Sequence, residues 1–293
     1  MRFRLKKSNK LFSYIMSLPT VFVFAFLTVF PLGYTIWYSF TNYNMLKPKA
    51  IKFIGIKNYI NIIQDSYFQQ AFVNTLIFML LAVFFETSIG LLVAVLINSL
   101  NRGTKILRTI VLLPVVLPPV TVALVWQIML SNNYGIINKL LEQLGKASVN
   151  WLNDVHTAFF CILLIDIWQY MPFAFLLIYA AMQSVPQSQY EAAELDGANG
   201  VQQFFFITIP NIFNGIVLVV LLRSIDSIRL FDKVNILTRG GPANSTATIT
   251  QYIYNYGVWQ HKIGFSSAGS IIMTIVVLII SLPYIKRAFQ RNG

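Results

Sequence analysis

Residues 185–211 read VPQSQYEAAELDGANGVQQFFFITIPN. They form the one long polar interruption in the apolar second half of the chain that reads as a structured element. Pro186 suits the first turn of a helix. Glu191, Glu194 and Asp196 follow, and the stretch contains no Lys or Arg. Gly197 and Gly200 then break the pattern, and the aromatic run 204–206 leads to Pro210 and the next apolar segment. The spacing predicts two short helices joined by a glycine-bearing turn, lying outside the membrane between two spans.

The composition sets the solvent. Of 293 residues 56% are hydrophobic and 11% charged, whereas a soluble domain carries about 25% charged residues. Mean hydropathy is +0.65. These values place the chain in a membrane, with lipid as a partner. The net charge of +12 does not mark a nucleic-acid binder, because the basic residues cluster beside apolar runs, as membrane anchors do. The single cysteine, Cys161, lies inside an apolar run and forms no internal disulfide.

Six apolar runs read as spans: 11–33, 71–100, 109–131, 155–183, 209–228 and 263–285. The first follows ten residues with five basic groups. Its length and the lack of a small-residue cleavage site argue against a signal peptide, and Pro31 predicts a kink. An even number of spans puts both ends on one side. The basic segment 1–10 and the tail 286–293, with Lys286, Arg287 and Arg291, place that side in the cytoplasm. The margin is thin: segments on that side hold 11 Lys or Arg and the outer loops hold 10. By parity, residues 186–197 lie inside and the loop 34–70 outside. That loop predicts a turn near Gly55 and an interfacial helix over 60–72. Residues 136–144 predict a helix ended by Gly145, and 237–242, Leu-Thr-Arg-Gly-Gly-Pro, predict a sharp turn.

Ionisable groups inside spans are costly and often functional. Asp166, Trp168, Gln169 and Tyr170 sit in the fourth run; Arg223, Asp226 and Arg229 follow at i, i+3 and i+6 on the fifth, with Ser224 and Ser227 beside them. They read either as a packing ladder, Arg223 to Asp226 to Arg229, or as a solute pathway built from Trp126, Asp166, Gln169, Tyr170, Asp226, Ser227 and Arg229. Carboxylate, amide and guanidinium groups suit sugar hydroxyls, and an aromatic face stacks on a pyranose ring. Glu86 reads as a partner between helices. No metal site is expected, since His156 and His261 lack a Cys or carboxylate cluster. No phosphate-binding Gly-x-x-x-x-Gly-Lys-Ser/Thr loop is present, so no catalytic residue is expected and the chain is not an enzyme.

The spacing within 185–211 is specific. Glu191-Ala192-Ala193, three residues, Gly197, nine residues, Ile207, one residue, Ile209-Pro210 resembles the signature of permease subunits in ATP-binding-cassette importers. That signature has Leu where Ile209 stands. The resemblance covers nearly the whole chain. Phe53-Ile-Gly55-Ile-Lys-Asn58-Tyr59, Asn74-Thr75, Leu113-Pro114, Trp126, Gly240-Gly-Pro-Ala-Asn-Ser-Thr246 and Tyr252-Ile-Tyr254 look like the carbohydrate branch, and like the first of its two unlike permeases, the maltose and glycerol-phosphate type.

The resemblance implies an all-α polytopic membrane protein with six transmembrane helices, the type I importer permease fold over 71–285, and a cytoplasmic coupling helix at 186–197. It implies a second, homologous permease, an ATPase dimer and an extracytoplasmic solute-binding protein as partners. ATP and magnesium would sit on the ATPase subunits, with no cofactor on this chain. Glu191, Ala192, Ala193, Glu194, Asp196, Gly197 and Pro210 would couple to the ATPase, with Pro210 opening the fifth span. The expected cargo is a sugar or oligosaccharide. Glycerol phosphate or another small solute is the alternative within the class. A proton-coupled secondary transporter, with Asp166 and Asp226 as relay groups, is the alternative outside it.

Overall fold

The computed structural model describes residues 8–100 and 102–290, most of them helical. The basic residues Arg2, Arg4, Lys6, Lys7 and Arg291 lie outside the described residues. The helices are α1 (Ser8–Ser39), α2 (Lys57–Gln64), α3 (Ser66–Asn98), α4 (Thr104–Val116), α5 (Pro119–Met129), α6 (Ile136–Gln143) and α7 (Ala158–Met182). Then come α8 (Gln187–Leu195), α9 (Gly200–Gln203), α10 (Ile209–Ile228), α11 (Asp232–Leu237), α12 (Ile249–Tyr254) and α13 (Ile263–Gln290). They divide into two compact units, Met1–Ile63 with Ile253–Thr274, and Gln64–Tyr252 with Ile275–Gly293.

Among the described residues five helical runs are long and apolar enough to cross a membrane: Tyr14–Ser39, Ser66–Asn98, Ala158–Met182, Gly200–Leu237 and Ile263–Tyr284. A sixth crossing is available only if α4 and α5 count as one, and they meet at 91°. The continuous span read over 109–131 is therefore broken. Pro118 forces the preceding Leu117 out of helical geometry, to φ −73° and ψ 136°. Pro119 then opens α5, where a missing N–H leaves nothing unpaired. The freed Leu117 carbonyl accepts from Gln169 Nε2 at 2.9 Å, which satisfies a polar group that lipid could not.

In the first unit, α1 runs through Pro31 to Ser39, six residues past the apolar run read from sequence. Gly55, at φ +59°, makes the turn before α2. Asn58 Nδ2 reaches back to the Ser39 and Thr41 carbonyls at 2.9 and 2.8 Å. The helix read over 60–72 is split: α2 ends at Gln64, and Asp65 caps α3 by accepting from Tyr67 N at 2.9 Å.

In the second unit α3, α7 and α10 pack through small residues. A methyl group on Gly90 would lie 2.8 Å from the Phe175 nitrogen, and one on Gly215 2.8 Å from Ala181 Cβ. Close backbone approach of this kind is how helices associate without a hydrophobic driving force between them. One apolar cluster gathers Phe78, Val122, Ile162 and Val234; the other gathers Ile97, Phe175, Ile178 and Ile212. The glycine-rich segment 237–247 folds tightly, with Arg239, Gly240, Ala243 and Asn244 at positive φ. Asn74 Nδ2 holds it through the carbonyls of Asn244 and Ala247, at 3.0 and 3.1 Å. Thr75 Oγ1 accepts from Ile249 N at 3.0 Å, so two motifs 170 residues apart in sequence form one joint.

Candidate functional site

Two regions carry the polar chemistry. The first is the stretch 185–211. Residues Gln187–Leu195 form α8, whose polar face is open; Glu191, Ala192, Glu194 and Asp196 are exposed and Ala193 is half-buried. Leu195 is 90% exposed, an apolar side chain offered at the end of a polar helix. Gly197 ends the helix at φ +80°. Ala198 N bonds to Ala193 O at 2.9 Å and Gly197 N to Glu194 O at 3.0 Å, closing a Schellman cap. Asn199 then caps α9 and exchanges bonds with Gln202, a capping box. Its signal in the sequence is the spacing Asn-x-x-Gln, hidden beside the two glycines.

The expected second short helix is not separate. Residues from Gly200 onward run through a wide π turn, Phe204–Thr208, straight into α10. Ile209 N bonds to Phe204 O, five residues back. Pro210 explains the widening: it lacks an N–H, and its ring crowds the carbonyl four residues before it. Pro210 therefore sits inside a continuous helical run rather than opening the fifth span. Tyr190 OH meets Thr208 Oγ1 at 3.0 Å, and Asn211 Nδ2 donates to Gln189 Oε1 at 2.8 Å. These bonds fasten α8 to the foot of α10.

The second region is a buried charge cluster. Arg223 on α10 donates from Nε to Glu86 on α3 at 2.5 Å and from Nη2 to Asp166 on α7 at 3.5 Å. Lys233 on α11 donates to the other oxygen of Asp166. All four side chains are at most 2% exposed. Tyr170 lies under both cations, 4.2 Å from Arg223 and 4.3 Å from Lys233, ring centre to charge. The chain Glu86, Arg223, Asp166, Lys233 alternates in sign, which is what a low-dielectric setting demands of buried charges. Arg223 pairs chiefly with Glu86; Asp226, like Asp166, lies 3.5 Å away, but its side chain is 58% exposed. Among the described residues Arg229 forms no ion pair, so the ladder read from i, i+3, i+6 spacing stops at Asp226. Lys233 was missed from sequence because it falls just beyond the apolar run.

One edge of this cluster lines a cleft of about 80 Å³, where Tyr170, Asp226, Ser227 and Arg229 come together with Asp232 and Lys233. Gln169 and Trp126 are not among its lining residues. Gln169 is fully buried at the α4–α5 break. Trp126 packs edge-on against Trp168 at 5.8 Å and lines a separate apolar cavity of about 340 Å³ with Trp151 and Cys161. Among the described residues no three His, Cys, Asp or Glu side chains gather as a metal site would require.

Residues 86–291 match the model of the family described as binding-protein-dependent transport system inner membrane component. The chain is 34% identical to a trehalose/maltose transport system permease protein of Thermococcus litoralis, covering 97% of this chain and 95% of that one. It is 31% identical to an arabinooligosaccharides transport system permease protein of Halalkalibacterium halodurans, over 97% and 90%. It is 30% identical to the sn-glycerol-3-phosphate transport system permease protein of Yersinia pestis, over 94% of each. A bacterial importer of the acidic polysaccharide alginate superposes with a TM-score of 0.84 at 26% identity, covering 97% of this chain and 96% of its counterpart. A methionine importer at 20% identity and a TM-score of 0.54 shares the fold. The chain is thus a membrane protein and belongs to the family of binding-protein-dependent transport system inner membrane components.

Proposed function

We propose that this chain is one of two unlike permeases of an ATP-driven importer, and that it passes a sugar or oligosaccharide delivered by an extracytoplasmic binding protein. The observation that carries this reading is the joint between α8 and α10. An exposed polar helix is hydrogen-bonded through Tyr190 and Gln189 to the base of a helix whose far end bears Arg223, Asp226 and Ser227. A partner ATPase that grips α8 and closes on ATP displaces it as a lever. Because Gly200 to Ile228 is continuous, the displacement reaches the cleft. The transporter then alternates between two states that ATP biases by binding one more tightly. Glu191 offers charge to the ATPase, Ala192 and Ala193 admit close approach, and Gly197 turns the chain without a side chain in the way. ATP and magnesium belong to the ATPase dimer. With α8 in the cytoplasm, both chain ends lie there too.

The cleft supports a neutral polyol over a phosphate ester. Its charged lining is balanced, with Asp166, Asp226 and Asp232 against Arg223, Arg229 and Lys233. A proton relay through Asp166 is disfavoured, since Lys233 and Arg223 hold both its oxygens.

The test is uptake by the assembled complex in proteoliposomes, with a panel of neutral oligosaccharides supplied on the binding protein. Saturable uptake that needs ATP on the α8 side and ignores a protonophore is expected. Uptake that a protonophore abolishes and that proceeds without ATPase would overturn the reading.

A further inference from the structure

The segment after α1 carries positive charge that the transport pathway does not use. Between positions 35 and 64 stand Lys47, Lys49, Lys52 and Lys57, and no Asp or Glu. All four are exposed. A fifth exposed lysine, Lys262, is brought alongside, because Met45 N donates to His261 O at 3.0 Å and Gly264 N to Tyr43 O at 2.9 Å. Among the described residues none of the five has an ion-pair partner. The whole unit that holds them, residues 1–63 and 253–274, contains no acidic residue.

The lysines stand on a fixed platform rather than a loose loop. Thr41 and Phe53 form an antiparallel bridge. Asn42 N donates to Lys52 O at 3.1 Å, and Lys52 N donates back to Asn42 Oδ1 at 2.7 Å. Tyr59 OH donates to Ser39 Oγ at 2.6 Å. Such pre-ordering removes much of the entropy loss that binding otherwise incurs.

Large apolar side chains alternate with the lysines: Leu46 is 69% exposed, Phe53 68% and Ile56 61%. At the end of α1, Tyr34 and Trp37 are also exposed, and aromatic residues at the ends of spans settle at headgroup level. The platform begins within two turns of that belt. Apolar side chains interleaved with lysines match a surface that dips into the acyl boundary while its ammonium groups reach phosphates. An acidic protein surface would answer the lysines but leave the apolar side chains unexplained.

We propose that this platform binds the phosphate headgroups of anionic phospholipids, in the leaflet reached by the C-terminal end of α1.

The experiment uses the full chain in its assembled complex, in nanodiscs of equal parts phosphatidylcholine and phosphatidylglycerol. After mild detergent extraction, the lipid retained by folded complex is identified by native mass spectrometry. Wild type is expected to keep phosphatidylglycerol in preference. The quadruple variant K47Q/K49Q/K52Q/K57Q is expected to lose that preference by about tenfold or more, since each lysine at a membrane surface contributes roughly fivefold. The matching Lys→Arg quadruple variant and the K139Q/K146Q pair, on α6 and just after it, are expected to keep it. Undiminished phosphatidylglycerol retention in the Gln variant, or equal loss in K139Q/K146Q, would overturn the proposal. Unchanged lipid retention with weakened capture of the solute-binding protein would overturn it in favour of protein docking.

Discussion

Arg223 and Glu86 meet side-on across 137 residues of chain: Nε donates to one carboxylate oxygen at 2.5 Å and Nη2 to the other at 3.0 Å. Both side chains are buried. The pair pins α10 to α3, and Asp166 adds α7 to the same guanidinium. Replacing Arg223 with Met leaves Glu86 buried without its cation, while Lys233 still pairs with Asp166. A loss of about 3–5 kcal/mol is expected, the usual result of orphaning a buried charge. It is read as a lower unfolding temperature of the purified complex. The double variant E86L/R223M should recover part of it; a single variant as stable as wild type would contradict the packing described.

Gly197 tests the coupling element. At φ +80° a side chain adds strain of about 1–2 kcal/mol, which the short α8 can relieve only by unwinding its end. Gly197→Val and Glu191→Lys should both insert in the membrane at wild-type levels. Both should lose substrate uptake and the stimulation of ATP hydrolysis by loaded binding protein. Normal uptake in both would remove α8 from the mechanism.

Gly90 is a second glycine with a different reason to exist. In an isolated helix Ala would be better by about 1 kcal/mol. Here its methyl would lie 2.8 Å from the backbone of α7, which has little room to yield. Gly90→Ala should destabilise the complex by about 1–3 kcal/mol, the range for overpacking. An unfolding temperature at or above wild type would show that α3 and α7 do not approach as closely as this.

Arg229 and Lys233 should separate by readout. Arg229 lines the cleft and forms no ion pair among the described residues, so Arg229→Gln should raise the KM for uptake by about tenfold, the equivalent of one lost charged hydrogen bond of about 1.5 kcal/mol. The unfolding temperature should stay put. Lys233 is buried against Asp166, so Lys233→Met should lower the unfolding temperature. The reverse pattern would exchange their roles.

The helical class and several helix ends were legible because apolar run length and glycine placement act locally. Gly197, Gly145 and Gly55 each mark a chain reversal at positive φ, where their types predict it. Two kinds of feature were hidden. The α4–α5 break was written in Pro118-Pro119, yet the uninterrupted hydropathy of 109–131 masked it; hydropathy reports solvent, not direction. The partners of Arg223 could not be read from spacing either. The i+3 residue Asp226 looked as good as any, while the pairs that matter come from α3 and α7, which only tertiary packing brings near. Gln169 was read as a solute group for the same reason. A buried amide in a span needs a partner, and nothing local says that the partner is the Leu117 carbonyl, 52 positions away and freed by the proline that follows it.

Among the described residues the four fully buried charges, Glu86, Asp166, Arg223 and Lys233, sum to zero. A net elementary charge carried across the bilayer field exchanges about 2.3 kcal/mol with every 100 mV of membrane potential. A neutral cluster that shifts as a body exchanges almost none. The cluster therefore ties the helices together without itself adding a voltage dependence to their movement.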